Sequence, residues 1–130
     1  MEPGKKNVLV VEDNPGDARL LEETVRQYGD GGFELIHARD LQDALERLSQ
    51  ARVDAVLLDL YLPDALGTET LRQVLAARPQ APVLVLTGLY NEEIGVRVLQ
   101  MGAECYLSKD HLREGNLVEA LKRCAGYRGP

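Results

Sequence analysis

A chain of 130 residues, 45% of them apolar, is long enough for one ordinary core and short for two. With 21 acids against 15 bases, a net charge of -6 and no basic block, it lacks the means for a broad, sequence-independent grip on nucleic acid. No run reaches membrane-spanning length and the start, MEPGKKN, has no apolar signal-peptide core, so the expectation is a cytoplasmic protein with no direct nucleic-acid or membrane contact.

Asn7 to Val11 (NVLVV) is a nearly continuous apolar run, the pattern of a strand buried on both faces. Asn14 as a cap and Pro15 in the first turn then start a helix, with Ala18, Leu21, Val25 and Tyr28 at helical spacing, and GDGG from Gly29 breaks it. A second strand, Phe33 to Ala38, leads through Asp40 as a cap into a helix carrying Leu41, Ala44, Leu45 and Leu48. Asp54 to Leu58 is the third strand, Gly67 and Thr68 the turn and cap, and Leu71, Val74 and Leu75 the apolar face of a third helix that ends near Pro79. Pro82 to Leu86 is the fourth strand, followed by a helix from about Asn91 to Met101 that stops at Gly102. Cys105 to Leu107 is a short fifth strand, and Leu117, Ala120, Leu121 and Cys124 mark the last helix. Cys105 and Cys124 form no CxxC and have no metal-ligand spacing to His37 or His111; we read both as buried free thiols of a reducing compartment.

Five strand-helix pairs whose connections are too long for hairpins predict an α/β fold, a five-stranded parallel sheet doubly wound by five helices. It forms a single domain over 1–130, with an ordered core of about 7–125 and 126–130 as a tail or linker stub. In such sheets reacting groups gather at the carboxyl ends of the strands. There the chain places Glu12 and Asp13, Asp59, Thr87, and Ser108 with Lys109. Each alone has an ordinary explanation as a turn, cap or edge residue, but independent turn choices do not explain why all of them meet at one edge. Three crowded carboxylates repel, and a divalent cation relieves this; magnesium takes few carboxylates and keeps positions open for water and phosphate. A carboxylate is also a nucleophile able to carry a phosphoryl group.

The runs VLVVEDNPGDARLL, VLLDLYLPDALGTETL, PVLVLTG and GAECYLSKD resemble the receiver domain of two-component response regulators, over essentially the whole chain. The resemblance implies strand order 2-1-3-4-5. It implies that Asp59 accepts a phosphoryl group from a histidine kinase or phosphotransfer protein. Mg²⁺ would be held by Asp13, Asp59, Glu12 through water, and the backbone carbonyl of Tyr61. Lys109 and the Thr87 hydroxyl would meet phosphoryl oxygens, and Thr87 with Tyr106 would form the switch, Tyr106 rotating inward and remodelling the face of the fourth helix, fifth strand and fifth helix. Such a switch is not an enzyme in the ordinary sense, although it assists its own phosphorylation and dephosphorylation. Its output passes to a downstream protein or a further domain, and the short fifth strand permits a homodimer.

The chain departs from the family where a proline usually follows the lysine: Lys109 precedes Asp110, so a trans bond is expected and the DHLREGN segment is open to rearrangement. Glu12 stands where Asp is commoner. Tyr61 and Leu89, each two residues beyond a site residue, are bulky and apolar and predict slow self-dephosphorylation. Gly95 within the fourth helix predicts a softened helix. Two other readings compete. A phosphate-independent interaction module has no physical reason to keep a repulsive acid cluster, and a haloacid-dehalogenase-type phosphohydrolase needs a second acid where this chain has Tyr61.

Overall fold

The alternation read from the sequence is present in the computed structural model, which describes residues 5–29, 31–77, 80–110 and 116–125. The elements are β1 (Lys6–Val11), α1 (Pro15–Tyr28), β2 (Phe33–Ala38), α2 (Leu41–Gln50), β3 (Ala55–Asp59), β4 (Tyr61–Leu62), β5 (Ala65–Leu66), α3 (Thr68–Ala77), β6 (Val83–Thr87), α4 (Glu92–Met101), β7 (Cys105–Ser108) and α5 (Asn116–Ala125). The main sheet is parallel throughout, in the order β2-β1-β3-β6-β7. Counted over its five strands alone, that is 2-1-3-4-5.

Successive strand residues point to opposite faces, so each central strand feeds two cores. Leu9, Val11, Val56, Leu58, Val83 and Val85 pack with Leu41 and Leu48 of α2, Leu71 and Val74 of α3 and Val98 of α4. Val8, Val10, Leu57, Leu84 and Leu86 face the other way, onto Leu21 and Val25 of α1 and Leu117 and Leu121 of α5. Every residue of β3 and β6 is buried, which is why their sequences read as unbroken apolar runs.

The helix starts follow the local signals. Side chains of Asn14, Asp40 and Asn91 accept from the backbone N–H groups of Asp17, Asp43 and Ile94, and Gly102 closes α4 at a φ of 123°. Several details differ from expectation. Thr68 is the first residue of α3 rather than its cap, because Gly67, at a φ of 66°, makes the turn immediately before it. Tyr28 is exposed rather than part of the buried stripe, and the two free cysteines are half-buried rather than buried, since each lies at the rim of the α1–α5 core. Burial still pushes the Cys105 thiol up to about 11. The turn through Pro63 and Asp64 is a small antiparallel ladder, with Tyr61 opposite Leu66 and Leu62 opposite Ala65. None of the described peptide bonds is cis, as expected for Lys109-Asp110. His111, most of the DHLREGN segment, Pro79 and the 126–130 tail lie outside the described residues. No described helix is long and apolar enough to cross a membrane.

Candidate functional site

β3 and β6 each run one residue beyond the apolar stretch. Asp59 is therefore a ladder residue, in register with Leu86, and Thr87 is in register with Ser108. Pairing within a buried sheet holds these two polar side chains more rigidly than a loop would. Glu12 follows β1 directly, and its backbone N–H continues the ladder to the Ala38 carbonyl at 3.0 Å. His37, to which the sequence pattern gives no role, donates from Nε2 to the Glu12 carbonyl at 2.8 Å and pins the same backbone from the β2 side.

Glu12, Asp13 and Asp59 bring one carboxylate oxygen each to within 4.8 Å of one another. Glu12 and Asp59 are buried and Asp13 is exposed, so the cluster opens to solvent on the Asp13 side. Glu12 Oε2 accepts from the Asn14 N–H at 3.2 Å and Asp59 Oδ1 from the Tyr61 N–H at 3.0 Å. Lys109 reaches over this cluster from the end of β7. Its Nζ donates to Glu12 Oε1, to Asp17 Oδ2 at 2.9 Å and to Asp59 Oδ2 at 3.0 Å.

Burial pushes the Glu12 carboxyl up to about 7; the Lys109 hydrogen bond works against that rise, while a hydrogen bond to Asp59 and its charge add to it. Burial disfavours the Lys109 ammonium, but hydrogen bonds to Glu12 and Asp17 and the charge of Asp59 outweigh it, so the lysine is held protonated well above the usual range. One ammonium thus offsets part of a surplus of negative charge. Three oxygen donors with an open solvent side suit a hard divalent cation that keeps some of its water.

The hydrogen bonds of Thr87 and Tyr106 run to other partners than that cluster. The Thr87 hydroxyl, on a residue 1% exposed, donates to the Leu89 carbonyl at 2.9 Å and accepts from the Leu89 N–H at 3.2 Å. The Tyr106 hydroxyl accepts from the Asn91 N–H at 3.1 Å, and its ring lies 5.0 Å from that of Tyr90 at 41°. Gly95 is buried beneath that ring: a Cβ there would come within 2.7 Å of Tyr106 Cδ2. The sequence pattern assigns no site role to Asp17, His37 or Tyr90, and propensity alone makes Gly95 a soft spot. Only Asp17 carried a hint, as an acid in a capped first turn, and that is the usual place for a helix-dipole residue with no further task. A surface cavity of about 570 Å³ lies at the opposite end of the sheet, beside Pro82 and Cys105, away from the acids.

Residues 8–122 match the response regulator receiver domain family. The transcriptional regulatory protein ZraR of Salmonella typhimurium is 31% identical over 115 residues, 85% of this chain and 25% of that protein. The chain therefore spans about a quarter of that relative's length. A receiver domain protein described as CheY-like from Methanospirillum hungatei superposes with a TM-score of 0.77 at 28% identity, over 94% of each chain. A response regulator from Burkholderia pseudomallei, solved with a phosphorylated aspartic acid, a calcium ion and citrate, gives 0.76 at 28% identity, over 94% of this chain and 69% of its own.

Proposed function

The chain belongs to the receiver domain family of two-component response regulators, and from that premise we propose that it is a switch thrown by phosphorylation of Asp59. The observation that carries the assignment is the convergence of Glu12, Asp13 and Lys109 on the carboxylate that ends β3. A histidine kinase or phosphotransfer protein supplies the phosphoryl group in the cytoplasm. An Asp59 oxygen attacks phosphorus, the phosphorus–nitrogen bond of the donor breaks, and the imidazole leaves with a proton. Lys109 offsets the charge that accumulates on the phosphoryl oxygens. Glu12, Asp13 and Asp59, with the Tyr61 carbonyl, would hold Mg²⁺, which when bound neutralises phosphoryl charge.

Thr87 then exchanges the Leu89 backbone for a phosphoryl oxygen. To do so its hydroxyl releases only two bonds, both to one neighbouring residue. The inward rotation expected of Tyr106 starts from a ring already half-buried against α4, so phosphate acts by holding that ring in place rather than by drawing it from solvent. The signal leaves through α4, β7 and α5 to a downstream protein or to an output domain, as befits a chain spanning a quarter of a longer relative. The alternative, an interaction module indifferent to phosphate, leaves the buried acids without a purpose.

The test is intact-mass measurement after exposure to acetyl phosphate, with Mg²⁺ or with chelator, for wild type and Asp59→Asn. One phosphoryl group on the wild type with Mg²⁺, and none on the variant, is the expected result. A wild type that stays unmodified under both conditions would falsify the switch and leave the interaction module.

A further inference from the structure

A lysine ammonium has three N–H donors and no acceptor. All three are already engaged in this structure, to Glu12, Asp17 and Asp59, so none is free for a phosphoryl oxygen. The three acceptors differ in what release would cost. The Glu12 and Asp59 side chains are 1% and 9% exposed, and losing Lys109 would leave a buried, uncompensated charge. The Asp17 carboxylate is 42% exposed and returns to water cheaply. Its position is nonetheless fixed: its own N–H donates to the Asn14 cap at 3.0 Å, next to Pro15 at the helix start.

We propose that Asp17 is a positioning residue that parks the Lys109 ammonium over the site in the resting protein and is the partner Lys109 gives up when a phosphoryl group arrives on Asp59. This rests on the receiver reading. Asp17 and the phosphoryl oxygens then compete for one N–H, and the strength of the parking bond sets part of the threshold for activation. Replacing the carboxylate with the shape-matched amide weakens that bond, because the ammonium then meets a neutral amide dipole in place of a full opposite charge.

The experiment is titration of the protein, with Mg²⁺ present, by beryllofluoride, a tetrahedral phosphoryl mimic. Asp17→Asn is expected to bind it roughly fivefold more tightly than wild type, and Asp17→Glu, which keeps the carboxylate, to return most of the way to wild type. In the metal-free protein, Asp17→Asn should also speed hydrogen exchange of the Lys109 ammonium, read from its ¹⁵N resonance. Equal or weaker affinity of the variant, or an unchanged exchange rate, overturns the proposal while leaving the receiver reading intact. A wild type that neither binds beryllofluoride nor takes phosphate from acetyl phosphate overturns both.

Discussion

Gly95 shows how one residue's meaning changes between sequence and structure. On propensity alone, Gly95→Ala should stabilise α4 by about 1 kcal/mol. The Tyr106 ring fills the place of the missing side chain, with a clash at 2.7 Å, and overpacking of this kind costs about 1–3 kcal/mol. We expect Gly95→Ala to be destabilising in urea unfolding, and the same change to be stabilising once Tyr106 is Ala. Stabilisation in the wild-type background would show that Tyr106 packs elsewhere. Tyr106→Ala alone should accept phosphate normally and couple it weakly to a partner; equal partner affinity in both phosphorylation states would take Tyr106 out of the mechanism. Tyr61 and Leu89, 49% and 82% exposed at the edge of the site, offer neither an amide nor a carboxylate to orient water. A slow loss of phosphate from the isolated protein is the expected consequence, and rapid discharge measured by intact mass would refute it.

At the level of elements, α2 is held from outside as well as by its own cap. Beyond the Asp40 side chain on the Asp43 N–H, Asp64 in the β4–β5 turn accepts from the N–H groups of Leu41 and Gln42 at 2.9 and 3.1 Å. Two of the helix's orphan donors are thus satisfied by a residue 23 positions away from Leu41. Its slight burial raises the Asp64 carboxyl, but these backbone donors outweigh that and hold it below the usual range. A lowered folded-state value stabilises the protein above the unfolded value, about 3.9, and that contribution is lost as pH falls through the folded value. Asp64→Asn should therefore cost roughly 1 kcal/mol or less near neutral pH, since the carboxylate is exposed, and the gap to wild type should close below about pH 4. Parallel denaturation curves at pH 7 and pH 3.5 check this; a gap of equal size at both would mean that charge plays no part.

For the whole molecule, the acid cluster sets stability against function. Buried Glu12 and Asp59 beside Asp13 burden the metal-free fold, and a cation bound only by the native state recovers stability by mass action, about 2.7 kcal/mol at a hundredfold excess over Kd. Adding Mg²⁺ should raise Tm for wild type by several degrees and barely move it for Asp13→Asn, whose exposed side chain can be changed without disturbing the core. Equal shifts in both would place the ion elsewhere. The alternation of elements, the two-faced core and the polar residues at the ends of four of the five strands were all legible in the sequence. They depend on local periodicity and on the residue that closes each apolar run, and those are properties of neighbours. The strand order needed the family resemblance as well. Only the tertiary structure decided that one ammonium serves Glu12, Asp17 and Asp59, partners 97, 92 and 50 residues away from it, that Tyr106 fills the space over Gly95, and that the Thr87 hydroxyl rests on Leu89. The first two contacts depend on sheet register and helix packing, which neither the spacing nor the chemistry of the residues along the chain specifies; the third spans two residues, and the turn after β6 selects it over the other partners a hydroxyl can take.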